Sequence, residues 1–403
     1  MPTTLCARMS PPKSRPRSML ARCLLVSLTV AQALAAPDAD AANLTTPRHD
    51  HEVVEVLRAR PLDRQERQWR ELRAQARAQP RNLTLAVQVA TQAMTRARRD
   101  GDPRWLGQAE AALATWWRLA EPPPAVRLLR AVILQTTHRF DEALLDLQAL
   151  TRQDPGNVQA WLTLAAVQQV TGRYDEAEAA CQGLAQAGAS WHAKACSADL
   201  ASLRGQGEAA SAELARLAST AAPEMVSWLS LVRAELAERS GQADLASRLY
   251  QQALLQGDDP YTLGAHADFL LDRRQSREVV QRLKGHERND ALLLRLAEAQ
   301  AATGDQAALQ RHVQTLRARF EAGRERGDQV HLREEARFTL RLLKRPNLAL
   351  QLARENWAVQ KEPADARIYL EAAKAAGQPQ AADEVRHFIR SVGWSDARLE
   401  GLL

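Results

Sequence analysis

The side chains equipped for chemistry are few and scattered. His49-Asp50-His51-Glu52 sets two imidazoles and two carboxylates in a row, a set that could chelate a divalent metal. The run sits in a stretch rich in Ala, Asp, Asn, Thr and Pro, residues 36–52, which predicts a flexible lead-in. A disordered site is poorly organised for metal, so a polar tail is the plainer expectation. His331 and Glu335 stand one helical turn apart with Glu334 beside them, but a zinc protease needs a second His at that spacing. A surface ion cluster with Arg333 and Arg337 is expected there instead. No GxGxxG, Walker loop, HExxH or GxSxG occurs. Arg326-Gly327-Asp328 matches a short adhesion motif, and a helix capped by Asp328 explains it better. No catalytic residue and no cofactor are predicted.

The elements around these residues are helical. Ala, Leu, Gln, Arg and Glu are abundant and favour helix, aromatics make up only 4%, and no segment alternates apolar and polar residues as a strand would. Two copies of one unit stand out, 124–157 and 158–191. The second carries Trp161, Leu164, Ala165, Gly172, Tyr174, Ala177, Cys181 and Leu184. Thirty-four residues earlier stand Arg127, Arg130, Ala131, His138, Phe140, Ala143, Leu147 and Leu150. Each unit predicts two helices of roughly twelve residues joined by a tight turn, with alanines where the axes approach and an aromatic wedged between them. Such a pair cannot bury its apolar face alone, so copies must stack.

This pattern resembles the tetratricopeptide repeat. The resemblance is specific over 124–191; elsewhere it rests on alanine spacing and rhythm. The expected fold is an all-α right-handed superhelical solenoid over 53–403, of about nine helix-turn-helix pairs behind a leading helix. Asp63 is expected to cap that first helix; Pro346, Pro363 and Pro379 should each open a helix, and the tail through Leu403 should cap the last apolar face. Of the tryptophans, Trp161, Trp228 and Trp357 fall at positions that pack between helices, while Trp116 and Trp117 cannot both face inward.

Residues 1–35 predict a secretory signal. Arg8, Lys13, Arg15, Arg17 and Arg22 precede an apolar run from Cys23 that ends in Ala33-Leu34-Ala35, and no acid occurs before Asp38. The run is short of the ~20 apolar residues that span a bilayer, so no stable membrane insertion is expected after cleavage. The formal charge of +6 falls to +1 once those five cations leave, which removes the case for nucleic acid. The combination of leader, repeats and no second domain resembles bacterial periplasmic proteins of this superfamily, so the mature protein is expected in the periplasm or outside the cell. Cys6 and Cys23 depart with the leader, while Cys181 and Cys196 remain. The two remaining cysteines lie about seven residues either side of a turn near Gly188, so an antiparallel hairpin would set them level. In an oxidising compartment they could close a loop worth ~3 kcal/mol, or else stay two small buried hydrophobes.

Members of the superfamily are interaction scaffolds with no shared catalytic residues, and the first helix of each pair lines the concave face. On that register Leu128, Val132, Gln135, Leu162, Ala166, Gln169, Leu229 and Arg233 form a partner groove. Relatives that grip a C-terminal carboxylate use Lys, Asn and Arg at such positions, so these mostly apolar residues argue against that clamp. An amphipathic helix or extended hydrophobic peptide suits them, unless the chain's own superhelical turn covers them. The expected function is a non-catalytic scaffold or assembly factor with a protein or peptide partner. The alternative is a metal-handling accessory protein using His49, His51 and His331.

Overall fold

A computed structural model of the chain describes His49, His51, residues 64–327 and residues 330–403. Asp50, Glu52, Asp63 and Asp328, and with them the expected leader and both Asp caps, lie outside the described residues. Within the described residues there are twenty α-helices and no strand. The first, α1 (Arg64–Ala78), carries the exposed pair Glu66–Arg70 at 3.8 Å. Residues 75–403 belong to one compact unit, which holds everything considered below except His49 and His51.

Nine helix pairs follow. The first is α2 (Leu83–Asp100) with α3 (Arg104–Ala112), trailed by the single turn α4 (Ala114–Trp117). The two clear repeats are α5 (Pro124–Thr136) with α6 (Phe140–Gln153), and α7 (Val158–Val170) with α8 (Tyr174–Gln186). Next come α9 (Ser190–Leu203) with α10 (Gly207–Ser219), α11 (Val226–Arg239) with α12 (Ala243–Ala253), and α13 (Pro260–Asp272) with α14 (Ser276–Leu283). The chain ends with α15 (Asp290–Thr303) and α16 (Gln306–Glu325), α17 (Leu332–Arg341) and α18 (Pro346–Val359), and α19 (Pro363–Ala375) and α20 (Asp383–Val392). The fold is an all-α repeat solenoid. No helix among the described residues is long and apolar enough to cross a membrane.

Local chemistry sets the helix ends. Asn82, Asn157, Asp259, Asn289 and Asp305 each accept a backbone N–H of the first turn through their side chains. Asn82, part of a glycosylation sequon, is thus spent as a cap. Proline opens α5, α13, α18 and α19, where its missing N–H costs nothing. At Pro379 the expected helix begins instead as a short 3-10 turn, Pro379–Ala382, and α20 starts at Asp383.

Between repeats the packing is close. Trp161 lies flat on α8, where a Cβ on Gly183 would come within 2.6 Å of the indole ring, so only glycine fits. Trp228 and Trp357 are buried between helices, whereas Trp116 and Trp117 are both half-buried.

Candidate functional site

The face of α5 to α9 turned away from their outer helices meets the chain's own C-terminal helices. One apolar cluster joins Ala131, Leu164, Val170, Tyr174 and Leu203 to Ala349, Trp357, Tyr369, Ile389, Trp394 and Leu399. Backbone bonds stitch the two parts together. Lys361 N–H donates to Val170 C=O at 2.7 Å, Ser395 to Leu203 at 3.2 Å, and Ala397 to Arg239 at 2.9 Å. Trp394 Nε1–H donates to Tyr174 Oη at 2.9 Å across a sequence separation of 220. At Gly172, whose φ is +79°, a Cβ would come within 2.8 Å of Phe388, so α20 packs directly on the repeat turn. The tail covers the inner side of the early repeats as well as the last pair.

A buried ion network completes this contact. Arg337 on α17 reaches Asp268 of α13 at 2.7 Å and Glu298 of α15 at 2.7 Å. Arg295 holds Asp268 at 2.5 Å, and Arg341 bridges Glu298 and Glu371. Arg333 reaches Glu362 at 2.8 Å and Asp365 at 3.4 Å. The expected surface cluster around Arg333 and Arg337 is therefore an interior one. Its two arginines lie on the side of α17 that faces α13, α15 and α19, half-buried and partly shielded from water. Burial pushes the Asp365 carboxyl up to about 6, although Arg333 pulls the other way. Glu334 is held down at about 2; burial opposes this, and the nearby Arg333 and Arg295 guanidinia prevail.

Two of the cavities adjoin these contacts. The inner one, of about 200 Å³, is walled by α11, α13, α17 and the α18–α19 link, and is lined by Glu235, Arg239, Tyr261, Arg333, Lys361 and Arg398 among others. The outer one, of about 580 Å³, is mainly apolar and lies between the α2–α3 and α5–α6 turns. Met94, Leu106, Gly107, Ile133, Val330 and Val359 line it, with His138 at its polar edge. His138 occupies the turn position that Gly172 holds in the next repeat and keeps the same left-handed backbone, φ +57°. Its ring stacks on Phe140 with centroids 5.2 Å apart. Burial, aided by Arg333, lowers its pKa to about 4, so it is neutral at physiological pH.

The eight residues assigned to a groove do not line one. Val132, Gln135, Leu162, Ala166 and Leu229 are buried, and Leu128 is half-buried against the C-terminal cluster. Leu162, 3% exposed, packs on Leu184 and Ala193, and Leu229 on Ala195, Ala198 and Leu214. Each first helix is flanked by its partner and by the neighbouring pairs, so these positions point into helix contacts. Gln169 lines the inner cavity and donates to Asp199 at 3.3 Å. Arg233 stays half-buried. Cys181 and Cys196, on α8 and α9, are joined by a disulfide with Cα atoms 5.7 Å apart. His49 and His51 stack with centroids 6.1 Å apart, and no group of three or more potential metal ligands is gathered among the described residues. His331 lines the outer cavity, while Glu335 turns away to pair with Arg324. Sequence reasoning missed the inner cavity entirely, because its walls come from residues as far apart as 169 and 398.

Residues 134–195 match the tetratricopeptide repeat family model. A search of curated protein sequences finds no match. Among solved structures, the human IFIT1 dimer with m7Gppp-AAAA aligns over 81% of this chain and 86% of its own, at 13% identity and a TM-score of 0.42. The crystal structure of the P58(IPK) TPR domain aligns over 77% of this chain and 93% of its own, at 13% identity and a TM-score of 0.20.

Proposed function

Since the chain is a tetratricopeptide repeat protein, we propose that it works as a non-catalytic protein–protein interaction scaffold of the bacterial periplasm, and that it holds an apolar segment of its partner in the outer cavity beside His138. One observation carries the choice of surface: the inner face expected to bind is packed against α17 to α20 and the tail, while the outer cavity, walled on one side by Val330, His331 and Val359, is left unfilled by the described residues. Its volume of 580 Å³ accepts one or two large apolar side chains. The leader expected from the sequence and the Cys181–Cys196 bridge support an oxidising, exported location.

Gly107 offers the test. It lies inside α3 on the cavity wall, and a Cβ there meets nothing within 4 Å. Gly107→Leu should fill the cavity and, by helix propensity, stabilise α3 by up to ~1 kcal/mol. Partner capture from a periplasmic extract should be lost while helical content and melting temperature hold or rise. Undiminished capture by the variant would show that the partner binds elsewhere.

A further inference from the structure

Most polar side chains on the wall of the outer cavity are already engaged. Asp102 pairs with Arg104 and Arg139 with Glu142, each at 2.6 Å. The Thr136 and Thr137 hydroxyls donate back to the Val132 and Ile133 carbonyls of α5, at 2.8 and 3.0 Å. Glu110 is exposed to water. His138 is different. The charges of Arg333, Glu334, Glu362 and His331 act on it, but none of these groups hydrogen-bonds its ring, and neither does any other described residue. Its ring nitrogens are not sealed inside the protein as those of His266 are, so they remain open to the cavity.

The chain holds this ring in place at a cost. Gly172, Gly205 and Gly241 occupy the matching turns of the next three repeats with positive φ, a backbone that glycine adopts freely and other residues do not. His138 takes φ +57° all the same, and its stack on Phe140, 5.2 Å between centroids, sets the ring. Strain of this kind gathers where a side chain is needed. Burial lowers the pKa of the ring to about 4, so at physiological pH it offers one N–H and one lone pair. An occupant that shuts out water without supplying a partner would leave those groups unsatisfied. An aliphatic side chain does that. A charged one would sit against Met94, Leu106, Ile133 and Val359. An aromatic ring bearing an O–H or N–H suits both the apolar wall and the imidazole, and the Met94 thioether favours contact with a ring.

We propose that the outer cavity selects an aromatic side chain that carries a hydrogen-bond donor, a tyrosine or tryptophan of the partner, and that His138 accepts the donor. This rests on the reading of the cavity as the partner site and adds the class of residue that enters it.

Titration of the full chain with p-cresol, 3-methylindole and 4-methylanisole, followed by NMR through the His138 ring resonances, tests this. Both donors should bind and shift those resonances. p-Cresol should bind about fivefold or more tightly than 4-methylanisole, which keeps the ring and lacks the donor. Apolar burial alone would reverse that order, since the methyl ether is the more apolar molecule. His138→Gly, which installs the residue of the neighbouring turns, should lose the preference. The wild-type comparison needs no variant, so a misfolded His138→Gly would not leave the question open. Absence of binding by p-cresol and 3-methylindole at about 2 mM overturns the proposal. So does equal binding of p-cresol and 4-methylanisole, or a preference that survives His138→Gly in folded protein. Gly107→Leu should abolish binding of all three probes. Partner capture lost in Gly107→Leu, with no preference for p-cresol in the wild type, would sink this inference and leave the scaffold reading standing. A clear preference with capture undiminished by Gly107→Leu would do the reverse.

Discussion

Tyr174 and Trp394 offer a double-mutant cycle across the contact between the early repeats and the tail. Tyr174 is buried at the start of α8, and Trp394 follows the left-handed Gly393 that ends α20. Tyr174→Phe removes the acceptor and strands the indole N–H, which costs ~1–3 kcal/mol when buried. Trp394→Phe removes the donor and leaves a void against Trp357 and Phe388, whose ring centroids lie 6.5 and 5.3 Å away. It should cost ~3 kcal/mol, toward the low end for truncating a buried tryptophan. The double variant loses both polar partners together. It should therefore be more stable than the sum of the singles implies, by about 1 kcal/mol or more, within the range found for touching residues. Urea denaturation followed by far-UV circular dichroism reads all four proteins. Strict additivity, within ~0.5 kcal/mol, would mean that the two residues do not meet and that the tail is not seated on the repeats.

Two further outcomes follow from the core. Cys181→Ala with Cys196→Ala, which opens a loop whose ends are separated by 15 in sequence, should cost ~3 kcal/mol in chemical denaturation; stability equal to wild type would mean that the bridge does not form. His266 is fully buried between Tyr250 and Phe269 with neither ring nitrogen hydrogen-bonded, and burial lowers its pKa to about 4. A base whose folded pKa is depressed loses stability as pH falls from its unfolded value, about 6.5, toward 4. His266→Phe should flatten that part of the stability–pH curve and stabilise the protein near pH 4, whereas an unchanged curve would place His266 in contact with water.

Much of the fold was legible because repeats write their packing into the sequence. Ala131 with Ala165, Ala143 with Ala177 and Phe140 with Tyr174 recur at 34 residues, and each is buried where the pattern places it. The nine pairs could be counted from the same spacing and from proline at helix starts. The face assignments were less legible. Leu162 and Leu229 look like groove residues from spacing within one repeat, yet neighbouring repeats cover them: Ala193 of the following repeat packs on Leu162, and Ala195, Ala198 and Leu214 of the preceding one pack on Leu229. The charges of α17 alternate as on a solvated helix, and only their partners reveal an interior network; Arg337 meets Asp268 and Glu298 from two other repeats. Arg367 and Asp272, 95 residues apart, pair in the same way. Nothing in local periodicity encodes a contact between Tyr174 and Trp394, because it depends on how far the solenoid turns in each repeat. For the same reason the inner cavity had no sequence signature.

The C-terminal tail lies on the inner side of the early repeats. Hydrogen exchange at residues 393–399 tests it most directly. This segment contains no helical hydrogen-bond ladder beyond α20, yet Ser395 and Ala397 donate their amides to Leu203 and Arg239. Those two amides should exchange far more slowly than in an unstructured peptide, with protection comparable to that of α7 and α9. Exchange at the rate of free peptide, with the repeats themselves protected, would mean that the tail is not seated there and that the inner face is open to a partner.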